Sequence, residues 1–418
     1  MHTGSCNSGA VAIPFFNNLV VCCALVGCSV IDWVADSYQA NKKQVVIRGE
    51  PEISRDKTIM ETSGLVAFVG TALAIACLRP LSAKLQLVDL PNQRKQHVGA
   101  IPLIGGIAVC LGVYLSVFFT LPLQSAIITM LACAGFMMVI GAIDDAKDIS
   151  PWIRLTLQAL LILILCLSTD ISLHQFGDVL GIGNITIPFI DLLIAVVAVC
   201  AAINAYNMMD GIDGLAGSMA GISLVGLSIL FTSTMPDMTN ICLVITIALV
   251  PYLLVNLKIP PFKRKIFLGD AGSMFLGFII GYLVLFGSQH HELKPAFRPV
   301  TALWLIGLPL MDMVGIMIRR IRKGQSPLRP DRNHLHHILL HAGFTPRESL
   351  LLIVVANLGV VFFGILAEQA KLPEWLMMVL YLLLFVTYSL CLTYAWKLGR
   401  WVKGIKAPSS DSTRIKKS

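Results

Sequence analysis

Five short polar stretches interrupt an otherwise apolar chain of 418 residues, and each carries side chains able to handle phosphate or a cation. They are "LVDLPNQRKQHVGAIPLIGG" (87–106), "GAIDDAKDIS" (141–150), "NAYNMMDGIDGLAGS" (204–218), "KRKIFLGDAGS" (263–273) and "RRIRKGQSPLRPDRNHLHH" (319–337). Adjacent carboxylates repel, so Asp144 and Asp145 favour a bound divalent cation or a raised pKa on one member. Asn207, Asp210 and Asp213 recur every third residue, which on a helix makes one stripe. Gly211, Gly214 and Gly217 make a second, suited to close backbone approach. Asp270 stands among glycines just ahead of an apolar run, where a helix N-terminus favours phosphate. Hard oxygen ligands of this kind suit magnesium, which keeps several waters and binds through one or two carboxylates plus substrate phosphates. In "HLHH", His334 and His337 stand one helical turn apart, with His336 on a different face. Zinc would need a third ligand, and no second His/Cys cluster supplies it. Histidines amid Arg322, Lys323, Arg329 and Arg332 better suit gripping a diphosphate, with Arg319 a further substrate-binding candidate. "RKQH", with Arg94, Lys95 and His97, suits the phosphate of a lipid.

Plainer roles stand beside these. Asp213 and Asp270 each precede a span and would serve as helix caps, the arginines as a solvated face, and "RKQH" as a headgroup contact. "DISP" reads as a helix start, with Ser150 as N-cap and Pro151 at the first helical position.

The elements that must position these residues are membrane spans. The chain is 56% hydrophobic and only 13% charged, about half the charge of a soluble domain. Apolar runs long enough to cross a bilayer recur from end to end. They predict an all-α polytopic membrane protein with eleven spans, near 62–79, 103–121, 125–143, 153–169, 190–206, 214–232, 240–256, 271–288, 300–318, 350–367 and 375–396. Of 32 lysines and arginines, 24 fall in loops on one side of this scheme and three on the other. Cytoplasmic loops carry the basic excess, so the side with 24 is predicted to be cytoplasmic and to hold the C-terminus. Basic loops beside anionic lipid account for the net charge of +8 without nucleic acid. The eleven cysteines show no zinc-site spacing and read as packing. Residues 1–60 form an N-terminal extension, with Met60 as an alternative start. Residues 61–400 form the multi-span domain, and 401–418 a basic tail expected to be disordered.

All five polar stretches fall on the basic side, where they describe a cleft whose substrates arrive from water and from lipid. A transporter or lipid flippase is the rival from another class, but it would place its ionisable groups near mid-span. Asp312, in "LPLMDMVGI", is the main acid that does so, as a buried structural or functional carboxylate.

"GAIDDAKDIS", "NAYNMMDGIDGL", "FLGDAGS" and "SPLRPDRNHLHH", in this order, resemble the polyprenyl-phosphate N-acetylhexosamine-1-phosphate transferase family over roughly residues 62–405. The branch acting on the muramoyl-pentapeptide has three consecutive histidines where this chain has His-Leu-His-His, which argues against that substrate. The resemblance implies eleven spans with a cytoplasmic cleft in the bacterial inner membrane. It implies UDP-N-acetylglucosamine as donor, undecaprenyl phosphate as acceptor, UMP as leaving group and a homodimer as an option. Magnesium is the implied cofactor, with manganese as a substitute. Carried over by position, Asp270 would ligate the metal with Asp145 and Asp210, and Asp144 and Asp145 would form the acidic pair essential to chemistry. Asp210 and Asp213 would belong to the donor or metal site. His334, His336 and His337 would contact the donor.

Overall fold

A computed structural model describes residues 50–90, 99–121, 124–290, 294–326 and 334–403. The chain divides into two units, Met1–Lys57 and Thr58–Ser418, and the second carries every feature discussed below. Helices make up almost all of the described chain: α1 (Glu50–Leu81, which begins in the first unit), α2 (Gly105–Thr120), α3 (Ser125–Lys147), α4 (Pro151–Thr169), α5 (Asp191–Met209), α6 (Leu215–Phe231) and α7 (Pro236–Asn256). They continue as α8 (Gly269–Gln289), α9 (Pro299–Leu305), α10 (Gly307–Arg322), α11 (Leu335–His341), α12 (Pro346–Gln369) and α13 (Glu374–Lys403).

Among the described residues, eight helices are long and apolar enough to cross a membrane, or nine if α9 and α10 count as one broken span. The remaining two predicted spans fall on α2 and α6, which are apolar but only 16 and 17 residues long. The span expected at 300–318 is not straight. It bends by 82° between α9 and α10, at Ile306, with Gly307 and Pro309 following in the first turn of α10. Pro309 removes a backbone donor, the kind of lesion at which helices kink.

α8 is the centre of the second unit. Its span is entirely buried, and α2, α3, α5, α6 and α9 pack around it. Small residues make this crowding feasible: a Cβ at Gly277 would stand 2.7 Å from Ile203 Cα of α5, and one at Gly141 of α3 would stand 2.5 Å from Asp270 O. In a bilayer the lipid is as apolar as the helix, so close backbone approach and van der Waals contact hold such a bundle together. α12 starts on a capping box, with Thr345 and Glu348 each accepting from the other's backbone N–H and Pro346 in the first turn.

Two small β features lie in the loops. Val88–Asp89 pairs antiparallel with Ile101–Pro102, a ribbon that the apolar periodicity gave no sign of. The loop at 170–189 forms a small hairpin, with Phe176 N–H donating to Ile185 O and Ile185 N–H to Gly177 O.

Candidate functional site

Three helix ends converge on the face that carries the basic loops: the C-termini of α3 and α5 and the N-terminus of α8. A helix N-terminus leaves backbone N–H groups without intrahelical partners. At α8 these are satisfied by an acid from another helix. Asp145 Oδ1 accepts from Asp270 N (2.9 Å) and its Oδ2 from Ala271 N (3.1 Å). The contact requires Gly269, whose φ is +74° and whose Cβ, were there one, would lie 2.5 Å from Asp145 Oδ2. The capping acid of α8 is therefore Asp145, while Asp270 sits in the first turn with its carboxyl half-exposed.

Asp270 is held from one side by Asn207, whose Nδ2 donates to its Oδ1 (2.7 Å) and to Ser273 Oγ (3.0 Å). Its Oδ2 lies 3.8 Å from Arg154 Nη1. The same guanidinium nitrogen donates to Asp144 Oδ2 at 2.7 Å, and Asp144 Oδ1 accepts from Ile149 N (2.7 Å). The two members of the acidic pair thus have different tasks. Asp144, 6% exposed, closes the 148–149 turn and aims Arg154. Asp145 fixes the start of α8. Ser150 occupies the N-cap position of α4 but its side chain makes no capping bond.

The stripe expected from Asn207, Asp210 and Asp213 does not form on a helix. α5 ends at Met209, and a turn carries residues 210–214 to Gly214, which enters α6 at φ +78°. Only Asn207 is helical. Asp213 caps nothing: its two oxygens take Lys265 Nζ at 3.1 and 3.0 Å, and that ammonium lies 4.6 Å above the Phe267 ring. Asp210, at the α5 C-terminus, is driven up to about pKa 7, first by burial and then by the charges of Asp270 and Asp213.

α11 closes the site from the other side. His336 is 1% exposed, neither ring nitrogen has a hydrogen-bond partner among the described residues, and a Cβ on Gly211 would collide with its Nε2. Burial, with His337 and His334 adding to it, lowers its pKa to about 3, so the ring is neutral. The His334 ring stacks parallel to it at 5.7 Å and that of His337 tilts against it at 4.2 Å. His334 is anchored in turn, its Nδ1 donating to Asp312 Oδ2 at 2.8 Å. Arg319 lies in the last turn of α10. Arg94, Lys95, His97, Arg329 and Arg332 lie outside the described residues.

Nothing in a motif singled out Arg154, Lys265 or Ser273. Arg154 did leave one signal. A cation in the first turn of an apolar helix opposes the helix dipole and so asks for an acid nearby.

The donor set bears on magnesium. Among the described residues, no three His, Cys, Asp or Glu side chains form a ready-made cage. Asp270 and Asp210 do stand close enough for the charge of one to raise the pKa of the other. Carboxylates crowded in this way, one of them half-exposed, fit an ion that takes one or two protein ligands and fills its remaining sites with water and phosphate oxygen.

Fold and site together define a polytopic membrane protein with an acidic centre at one membrane face, flanked by the α11 histidines and by Arg154. Comparison with known proteins agrees. Residues 127–288 match the family model "Glycosyl transferase family 4". The undecaprenyl-phosphate alpha-N-acetylglucosaminyl 1-phosphate transferase of Pasteurella multocida is 43% identical over 350 residues, covering 83% of this chain and 97% of that protein. The proteins of the same name from Haemophilus influenzae (41%, 84% and 99% covered) and Escherichia coli K12 (40%, 83% and 95%) are similar over comparable lengths. The chain belongs to the polyprenyl-phosphate N-acetylhexosamine-1-phosphate transferase family.

Proposed function

We propose that this chain transfers N-acetylglucosamine 1-phosphate from UDP-N-acetylglucosamine to undecaprenyl phosphate, releasing UMP. In this reading it spans the bacterial inner membrane eleven times, faces the cytoplasm with its basic loops, and starts a glycan of the O-antigen or enterobacterial common antigen type. The observation that carries the reading is the junction of Asp145, Asn207, Asp210 and Asp270 around the α8 N-terminus, in a chain similar over most of its length to proteins named for this reaction.

The chemistry exchanges one phosphoanhydride for another, so the barrier is chiefly electrostatic. An anionic phosphate must approach an anionic diphosphate. Asp270 and Asp210 are the residues that would hold magnesium, which when bound supplies charge neutralisation for the reacting phosphates. Arg154, tied to Asp144 and 3.8 Å from Asp270, stands where it adds fixed positive charge. Asn207 orients Asp270, and Asp145 keeps the α8 N-terminus in place beneath it. His336 and His337 line the side nearest Gly211, where they contact the donor. A phosphate monoester has a second pKa of about 6, so the acceptor is largely ionised at neutral pH and direct in-line attack needs no strong base.

The test is a lipid-labelling assay with purified protein, undecaprenyl phosphate and UDP-N-acetylglucosamine labelled in the sugar, with magnesium or EDTA. Magnesium-dependent label in lipid, with UMP and not UDP released, supports the reading. Transfer only from another UDP-sugar would keep the chemistry and change the pathway. No transfer from any UDP-sugar by folded, lipid-supplied protein would overturn it.

A further inference from the structure

Asp312 sits on α10, just beyond the 82° break, and is wholly buried. A carboxylate in such a place is costly unless every lone pair is used. Here three donors reach it from two other elements. Oδ1 accepts from Leu335 N (3.0 Å) and from the Tyr388 hydroxyl of α13 (2.6 Å), and Oδ2 accepts from His334 Nδ1 (2.8 Å). Leu335 opens α11, and the residue at the N-cap position, His334, offers no side-chain cap. Asp312 therefore does for α11 what Asp145 does for α8. Each is an acid from a different helix that satisfies the exposed amides of a site helix.

The bond to His334 does more than anchor the chain. A neutral imidazole has one donor and one acceptor nitrogen, and the partner of one fixes the role of the other. In the neutral ring, committing Nδ1–H to Asp312 leaves Nε2 as the acceptor. Its ring stacks parallel to His336, which abuts Gly211 in the acidic loop. A continuous line of contacts runs from Asp312 through His334 and His336 to the turn holding Asp210.

We propose that Asp312 is a positioning residue: it fixes the orientation and ring tautomer of His334 and, by capping α11, holds the His334–His337 segment in register against the 210–214 turn. It touches no substrate itself. The proposal rests on the donor-binding role given above to that segment.

Asp312→Asn is the discriminating variant. Its Oδ1 still accepts from Leu335 N and Tyr388, but its amide faces Nδ1 with a donor and forces the ring into the opposite tautomer. The expected result is a rise of about tenfold or more in the KM for UDP-N-acetylglucosamine, the size usual when the partner orienting a functional histidine is lost. The KM for undecaprenyl phosphate and the thermal midpoint in detergent stay as in the parent. Tyr388→Phe removes a bond from the same carboxylate without touching His334 and leaves the donor KM unchanged. In a His334→Gln background, Asp312→Asn adds little further loss, because the two act as a unit. If Asp312→Asn and Tyr388→Phe lower the thermal midpoint together and leave the donor KM alone, or if the double variant is additive, Asp312 is a structural tie and the proposal fails. Should the parent protein transfer no sugar at all, the proposed reaction falls instead. Hydrogen exchange then decides the positioning: faster exchange across 335–341 in Asp312→Ala, with 270–289 still protected, upholds it, and unchanged exchange there refutes it.

Discussion

Gly211→Ala is the sharpest test of how the two halves of the site are joined. The φ of Gly211 is not positive, since it is absent from the left-handed glycines, so alanine meets no backbone penalty. What the new methyl meets is His336: it would overlap Nε2 and Cε1 and stand 2.8 Å from Cδ2. A flexible side chain end would swing aside, but this ring is 1% exposed and wedged against His334 and His337. Overpacking a filled site costs about 1–3 kcal/mol. The alternative is to push α11 off the 210–214 turn, which opens the donor side of the cleft. Unfolding in mixed micelles should therefore show a loss of that size for Gly211→Ala, together with faster proteolysis or hydrogen exchange at 334–341. The double variant Gly211→Ala/His336→Ala should recover the stability lost to the clash, giving a coupling energy of opposite sign to the single effects. A Gly211→Ala protein as stable as the parent, or a loss that His336→Ala does not relieve, would refute the contact.

Asp270→Asn should abolish transfer while leaving the fold intact, because the amide can still accept from Asn207; retention of magnesium-dependent activity in the labelling assay would remove Asp270 from the metal site. Arg154→Gln should cost about 1–3 kcal/mol by leaving the buried Asp144 carboxylate without its charged partner, read as a lower denaturation midpoint, and Asp144→Asn in the same chain should recover part of it. Lys265→Ala should cost at most about 1 kcal/mol, since its partner Asp213 is 38% exposed. The pH dependence of α11 follows from His336. Its folded pKa, about 3, lies below the unfolded value of about 6.5, so the unfolded state binds the extra proton between those values. The stability it contributes is present above pH 6.5 and falls as pH drops, by about 2 kcal/mol at pH 5. Intrinsic amide exchange slows as pH falls from 7 to 5, so the quantity to read is the protection factor: corrected for that slowing, protection at 334–341 should fall, and His336→Phe should flatten that response.

How far the residues spoke for themselves varied with the kind of information. Spans such as Ser125–Lys147 and Pro346–Gln369 were legible because a bilayer demands some 20 apolar residues in a row, and the Thr345–Glu348 box marks its own helix start. The chemistry was legible as residue types: acids, amides, histidines and basic residues gathered in loops on one side of the predicted spans. Roles within those types were not. Spacing made Asn207, Asp210 and Asp213 look like one helical stripe, whereas the helix ends at Met209 and a turn carries Asp210 and Asp213 off its face. Asp213 and Asp270 looked like helix caps, yet the caps of α8 and α11 come from Asp145 and Asp312, 125 and 23 residues away from the amides they take. Apolar periodicity could not show the 82° break, because the residues at the bend, Leu305, Ile306 and Gly307, are apolar like their immediate neighbours. The sequence alone determined a multi-span membrane protein with its acids, amides, histidines and basic residues gathered on one side, since hydrophobic length and charge type are local properties. Which carboxylate caps, which pairs and which stays open to a ligand was decided by the tertiary structure, because a buried donor is satisfied by whatever acceptor the packing brings near it.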